Sequence, residues 1–441
     1  MNYVQSCARY ARHILAASLF LGPALLPAQT DTATSSFDVN GLKVILRRNT
    51  ANDVVAANVY LLGGAQQLSP ATQGIETFLL AASERGTKLY PREKLRQVTA
   101  RLGSDITITP SEDWTVFGVT TIKSTFDSTF AALADRLVEP TLDSSEVALV
   151  RTRLITDARE SENDPDSLLN RLADSLSYVG HPYSFSPSGN ESSLRSITLG
   201  ELRNYQNTQM VTSRMLLVVV GNIDRAELEP LIARTLGQLP RGNYTWSPPH
   251  MPAKLGRALV VREVPLPTNY LLGYYAGPAA RDPDYAALRV ATAVLAGRLF
   301  TEVRSKRNLS YEVDAPFVDH AIANGGLYVT TTDPNQSLQI MRVEIDRLQR
   351  EPIDIQGLQR LIAQFITDYF LKNETNGDQA TFLARAQIYQ GDFRLASHFV
   401  DDLRKVTPED VRRVTRQYMH DFRFVYIGKG DALSRALIAE F

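Results

Sequence analysis

The side chains that most often do chemistry are few here and badly spaced for it. The six histidines are His13, His181, His250, His320, His398 and His420. No two stand at the i,i+4 spacing that lets one helix face hold a metal. His398 with Asp401 and Asp402 comes nearest to a cluster, and it reads as a solvated helix face. The acidic stretch Asp157 to Asp166 imitates a metal-binding loop. Its charges fall at helical intervals beside Arg151, Arg153 and Arg159, so it too reads as an exposed helix face. No G-x-S-x-G elbow, phosphate loop or dinucleotide fingerprint occurs. Gly63-Gly64 and Gly325-Gly326 read as turns. Self-sufficient metal-dependent or nucleophilic hydrolysis is therefore not expected.

The chain of 441 residues is 44% hydrophobic and 22% charged, an ordinary globular composition. Its length suggests two domains of about 200 residues each. Residues 1–28 differ from the rest. Arg9 and Arg12 precede an apolar run from Ile14 to Ala28, interrupted by Pro23 and Pro27, and the first acid is Asp31. This reads as a secretory signal peptide, with a mitochondrial presequence as the competing reading. Removing it takes away two of 47 basic residues and none of 48 acids, moving the formal charge from −1 to −3. No basic excess remains to hold nucleic acid or an anionic membrane. The single cysteine, Cys7, lies in the segment expected to be removed and precedes the apolar run, so neither disulfide, thiol chemistry nor lipid anchor is expected.

The elements that must position any site come in two copies. Leu194-Arg-Ser-Ile-Thr198 leads into a helical stretch ending at Met210, an apolar run from Met215 to Val220, and Gly221-Asn-Ile-Asp224. Leu403-Arg-Lys-Val-Thr407 leads in the same way to Met419, Phe422 to Ile427, and Gly428-Lys-Gly-Asp431. Each copy is an N-capped helix, a buried strand and a glycine turn. The starts of the halves agree in kind. Asn40-Gly41 is a hairpin signal, and the strand Val54 to Leu62 precedes a helix from Gly74. In the second half, Leu259 to Val264 and Tyr270 to Tyr275 precede a helix from Tyr285. A Pro-rich linker occupies 239–257 between domains at 30–238 and 258–441. The expected fold class is α+β, two homologous halves that each layer helices on a largely antiparallel sheet.

Three stretches resemble the pitrilysin/insulinase-type zinc peptidases. Gly74-Ile-Glu-Thr-Phe-Leu-Leu-Ala-Ala with Gly86-Thr-Lys-Leu-Tyr-Pro91 is similar to the family's active-site helix. Leu102-Gly-Ser-Asp-Ile-Thr-Ile-Thr with Ser111-Glu-Asp-Trp-Thr-Val116 fits its edge strand and the next strand. Arg298-Leu-Phe-Thr-Glu-Val-Arg304 with Asn308-Leu-Ser-Tyr311 fits its second half. Active members carry H-x-x-E-H, two zinc-binding His with a water-activating Glu. Those positions align here with Thr77, Leu80 and Ala81, which neither bind zinc well nor act as a base. The family's third ligand, a Glu, aligns near Thr156, Asp157 and Ala158, with Asp157 or Glu160 as its remnant. The resemblance thus implies a non-catalytic subunit that binds no cofactor itself, with zinc in a homologous partner.

In the family an Arg and a Tyr seven residues apart face the zinc site of another unit and stabilise the developing oxyanion. The resemblance places these roles on Arg304 and Tyr311. Read from the residues alone, two structural alternatives stay open. Arg304 sits near a helix end beside Lys306 and Arg307, where basic groups suit the dipole. Tyr311 opens an alternating run through Val313, Ala315 and Phe317 that would turn it to the core. The resemblance also implies that peptide or unfolded polypeptide adds as a strand along Ser104, Asp105, Ile106, Thr107, Ile108 and Thr109. The expected protein is exported, periplasmic or secreted, or mitochondrial on the competing reading, and pairs with a zinc-bearing homologue. A non-enzymatic peptide-binding or assembly scaffold is the alternative.

Overall fold

The computed structural model describes residues 33–103 and 106–441, so the signal segment with Cys7, and Ser104 and Asp105, lie outside the described residues. In the first half, the strands are β1 (Thr34–Val39), β2 (Leu42–Arg48), β3 (Val54–Leu62), β4 (Ile106–Pro110), β5 (Trp114–Ile122) and β6 (Met215–Gly221). They form one sheet in the order β1-β2-β6-β3-β5-β4, antiparallel except where β2 meets β6. The expected hairpin joins β1 to β2, with Asn40 and Gly41 both at positive φ. The helices are α1 (Ile75–Ser83), α2 (Arg92–Leu102), α3 (Phe126–Val138), α4 (Ser144–Asn163), α5 (Pro165–Ser177), α6 (Glu191–Ser196), α7 (Leu199–Gln209) and α8 (Arg225–Ala233).

The second half repeats this plan. Its strands β7 (Ala258–Glu263), β8 (Asn269–Ala279), β9 (Glu312–Asp314), β10 (Phe317–Val318), β11 (Ile322–Thr331) and β12 (Arg423–Gly428) form a sheet in the order β10-β11-β8-β12-β7, with β9 also on β11. Again one pair is parallel, β7 with β12. The helices used below are α9 (Asp284–Leu299), α10 (Pro334–Arg350), α11 (Ile355–Lys372), α12 (Asn376–Arg385), α13 (Phe399–Arg404) and α14 (Pro408–Tyr418). Matching caps confirm the duplication. Thr198 and Thr407 each close a capping box on α7 and α14. Asp143 and Asp354 each accept two backbone N–H groups at the starts of α4 and α11. Gly221 and Gly428 end β6 and β12 at φ 157 and 154.

Each sheet is buried on both faces, and the two halves exchange helices to achieve it. On the first sheet Val44, Leu46, Val59, Leu61, Leu217 and Val219 join the core beneath α1, α3 and α7. The alternate residues Ile45, Tyr60, Leu216, Val218 and Val220 pack against Ala380, Leu383 and Ala384 of α12, a helix of the second half. Reciprocally, Leu169 and Ala173 of α5 cover Leu272, Tyr274, Val425 and Ile427 of the second sheet. A period of two therefore serves two different cores, which is why β6 reads as an unbroken apolar run rather than an alternation.

Two expectations need correction. Gly325 and Gly326 are not a turn but lie within β11. A Cβ on Gly325 would collide with the Tyr275 ring and one on Gly326 with Tyr274, so close ring packing selects glycine there. The acidic stretch is not one continuous helix face. The helix α4 ends at Asn163, Asp164 caps α5 through Ser167 N–H, and Asp166 accepts from the Tyr328 hydroxyl at 2.7 Å. Residues 240–257 form neither helix nor strand. They are nonetheless tied down, with the Arg241 carbonyl accepting from Ser213 N–H at 2.9 Å and Trp246 packed against the junction core.

Candidate functional site

The short helix α1 opens at Gly74, whose φ of 80 and contact with Gly189 require glycine. This brings the loop at 186–190 across the helix. The Thr77 hydroxyl donates to the Pro187 carbonyl at 2.9 Å. Leu80 and Ala81 turn inward and are 1% and 3% exposed within the first core. Only Thr77 of the three faces the adjoining cleft of about 700 Å³, whose wall includes Ile108 and Pro110 of β4 and Asp157 of α4. Glu160 is exposed on the same helix and does not line it. A committed hydroxyl, two aliphatic side chains and one carboxylate do not fit zinc, which takes nitrogen, thiolate or carboxylate ligands in a tetrahedron. Among the described residues no group of three or more His, Cys, Asp or Glu is placed to hold a metal ion.

The position before Thr77 carries a charge network instead. Glu76 is 5% exposed, pairs with Arg214 at 2.7 Å and accepts from the Tyr205 hydroxyl at 3.0 Å. Arg214, 1% exposed, also donates to the Leu62 carbonyl at 2.8 Å. This network ties α1 to α7 and to the end of β3. The cleft beside α1 is acidic, with Glu112, Asp157, Glu162 and Asp174 against Arg171, itself 3.4 Å from Glu162. Burial, reinforced by Glu112, pushes the Asp174 carboxyl up to about 8.

At the junction of the halves Asp113 is fully buried. It accepts from the Tyr183 hydroxyl, from the Tyr389 hydroxyl at 2.6 Å and from Ala321 N–H at 2.9 Å, so one carboxylate ties β5 to two segments of the second half. His320 Nε2 lies 3.1 Å from Glu112. Sequence reasoning missed this clasp, because its partners are 70 to 276 residues apart in the chain.

Among the described residues the strand β4 is a sheet edge, pairing only with β5, and its side chains alternate between half-buried and exposed as a one-sided strand requires. Ile106 to Thr109 all lie on this edge strand.

Arg304 and Tyr311 occupy a separate surface, and neither lines the first cleft. The helix α9 continues into a π-turn, Phe300–Ser305, which carries Arg304. Its guanidinium lies 5.0 Å from the Phe300 ring centre and 4.7 Å from that of Tyr311. The neighbouring cations Lys306 and Arg307 both bind Glu302 at 2.6 Å, whereas Arg304 has no carboxylate within salt-bridge distance among the described residues. Tyr311 does not turn to the core: it is 82% exposed, the most exposed large hydrophobic side chain described, while Val313 takes the core position. The alternation expected from Tyr311 onward begins only with β9 at Glu312.

Comparison with known proteins places the architecture. Residues 43–184 match the family described as Insulinase (Peptidase family M16), and residues 196–365 match the Peptidase M16 inactive domain. The chain belongs to the M16 peptidase family. Within M16 it is 21% identical over 398 residues to a Bacillus subtilis protein named uncharacterized zinc protease YmxG, covering 88% of this chain and 96% of the relative. It is 22% identical over 410 residues to the mitochondrial-processing peptidase subunit beta of Blastocladiella emersonii, covering 89% and 87%. Among solved structures, an M16 inactive domain from Pseudomonas fluorescens superposes with a TM-score of 0.82 at 19% identity, covering 90% of this chain and 98% of that one. A protease from Helicobacter pylori gives the same TM-score and identity, with coverage of 90% and 99%. The chain is thus an M16 member whose sequence contains no H-x-x-E-H motif.

Proposed function

We propose that this chain is the non-catalytic subunit of a heteromeric M16 metallopeptidase, supplying Arg304 and Tyr311 in trans to a zinc-bearing homologue. The observation that carries this reading is the contrast between two sites. The zinc positions hold side chains without metal affinity, whereas a half-buried Arg304 lies against the exposed Tyr311 ring with no carboxylate within salt-bridge distance among the described residues. A guanidinium and a phenol presented on one surface donate hydrogen bonds to an oxygen that gains negative charge as a peptide carbonyl is attacked. The water-activating base and the metal belong to the partner. The edge strand β4 offers unpaired backbone groups to an extended peptide, and enclosure between two such units favours short or unfolded polypeptides.

Export is the location this reading prefers, because the run behind Arg9 and Arg12 is apolar throughout rather than amphipathic. The mitochondrial relatives support the matrix as the alternative. No described helix is long and apolar enough to cross a membrane.

The test is peptide hydrolysis with metal analysis on the purified chain, alone and mixed with an H-x-x-E-H homologue from the same source. Zinc and turnover appearing only in the mixture, with this chain required, support the subunit reading. A stable complex that cuts nothing identifies the scaffold alternative, and zinc-dependent turnover by the chain alone refutes both.

A further inference from the structure

The duplication gives the second half its own counterpart of the cleft beside α1. Asp157 and Ala158 on α4 correspond to Asp368 and Tyr369 on α11, by the register that equates the N-caps Asp143 and Asp354. Asp174 on α5 corresponds to Arg385 on α12 by the register of Asp164 and Thr375. These residues and their neighbours line a cavity of about 390 Å³, within the range of small-ligand sites. Where the first cleft is polar and acidic, this one is walled by rings. Tyr369 lies 4.8 Å from Phe382 and 5.2 Å from Phe399 between ring centres.

Its floor is cationic. Arg289 contacts Asp319 at 2.7 Å, and Arg385 binds the same carboxylate and donates to the Asp319 carbonyl at 2.7 Å. Two guanidinium groups thus share one carboxylate, and all three side chains remain partly exposed. The nearby Asp113 carboxylate points elsewhere, its oxygens taken by Tyr183, Tyr389 and Ala321 N–H. A ring-walled cavity attracts cations when its cation seat is open. Here Arg289 already fills that seat, 5.2 Å from Phe399 and 5.6 Å from Phe365. Asp368, Asp378 and Lys372 lie at the mouth, and Asp378 is engaged by Thr375. Burial first, and then Arg385, hold the Arg289 guanidinium down to about 10.

We propose that this second cleft binds a carboxylate carried on an apolar or aromatic group, the carboxylate on Arg289 and Arg385 and the apolar group against Phe365, Tyr369, Phe382 and Phe399. The proposal is independent of the role of Arg304 and Tyr311. Two sources carry this chemistry, a small organic acid and the C-terminus of a peptide ending in an apolar residue.

Calorimetric titration of the full chain with 3-phenylpropionate, with a heptapeptide ending in Phe, and with the same peptide as its C-terminal amide separates them. The free peptide is expected to bind at least about tenfold more tightly than the amide, the loss typical of a charge-assisted pair. Binding of 3-phenylpropionate comparable to the peptide assigns the small acid, and binding of the peptide alone assigns the chain end. Equal affinity for acid and amide, or no saturation by either acid at millimolar concentration, overturns the proposal. Arg385→Lys should weaken the acid about tenfold while leaving the thermal melt in place. Should that variant unfold, a diazirine derivative of 3-phenylpropionate answers with the unmodified chain: label on α11 and α12 supports the site, and label confined to the first cleft or elsewhere refutes it.

Discussion

The guanidinium of Arg304 lies 4.7 Å from the ring centre of Tyr311, and Tyr311 keeps 82% of its side chain in solvent. A ring that exposed is not there for packing. The ring covers a half-buried cation that makes no salt bridge among the described residues. Replacing Arg304 by Ala, or Tyr311 by Phe, should leave assembly with the zinc-bearing partner intact and lower turnover by about tenfold or more. Steady-state kinetics on the reconstituted complex checks this, and unchanged turnover in both variants removes the assigned role.

The Glu76 and Arg214 pair is the most deeply buried ion pair described. Glu76→Gln leaves the Arg214 charge without its counterion in a site 1% exposed. A destabilisation of about 3–5 kcal/mol is expected. Urea denaturation of the two proteins measures it, and a midpoint within error of the parent contradicts the account.

Asp113 makes a prediction about the two halves jointly. Asp113→Ala orphans two tyrosine hydroxyls and the Ala321 N–H at the junction. A loss of roughly 3 kcal/mol or more is expected from three abandoned buried groups. Calorimetry should show a lowered transition, with the halves beginning to melt separately.

Leu80→Glu tests whether the zinc site can be rebuilt by restoring side chains. The position lies within the apolar core under the first sheet, and the nearby Arg136 guanidinium is already engaged by the Leu80 carbonyl and the Ser83 hydroxyl. Destabilisation by roughly 3 kcal/mol is expected at neutral pH, read from the thermal midpoint. A midpoint equal to that of the parent would mean the side chain reaches the cleft.

The Asp174 carboxyl is raised from an unfolded value near 3.8 to about 8. The folded state therefore holds this proton more tightly than the unfolded one. Its stabilising effect is full below about pH 4, is lost progressively as pH rises to about 8, and changes no further above that. Asp174→Asn, which stays neutral, should gain on the parent in melting temperature between pH 5 and pH 9. A difference independent of pH contradicts the assignment.

Much of the fold was legible because local rules carry it. The Asn40-Gly41 hairpin, the Thr198 and Thr407 caps and the all-apolar β6 each follow from short-range chemistry, and their repetition exposed the duplication. What stayed hidden depends on distant partners. Gly325-Gly326 looks like a turn until Tyr275 is known to lie against it. The run Asp157 to Asp166 hides a helix break that Asp164 makes by capping. Asp113 is one residue of the Ser111 to Val116 stretch with nothing local to mark it, and its partners come from 70 to 276 residues away. The exposure of Tyr311 reversed an alternation argument because the strand starts one residue later.

The exchange of α5 and α12 between the halves has a consequence for synthesis on the ribosome. The first sheet is complete in sequence at Gly221, but the helix that covers its outer face ends at Arg385. At roughly 5–20 residues per second, translation leaves Ile45, Tyr60, Leu216 and Val218 uncovered for about ten to thirty seconds. The N-terminal half therefore emerges as a nascent chain with an apolar sheet face open. It is the half on which a ribosome-associated or secretory chaperone would act, and its expression alone should yield aggregates rather than a folded domain.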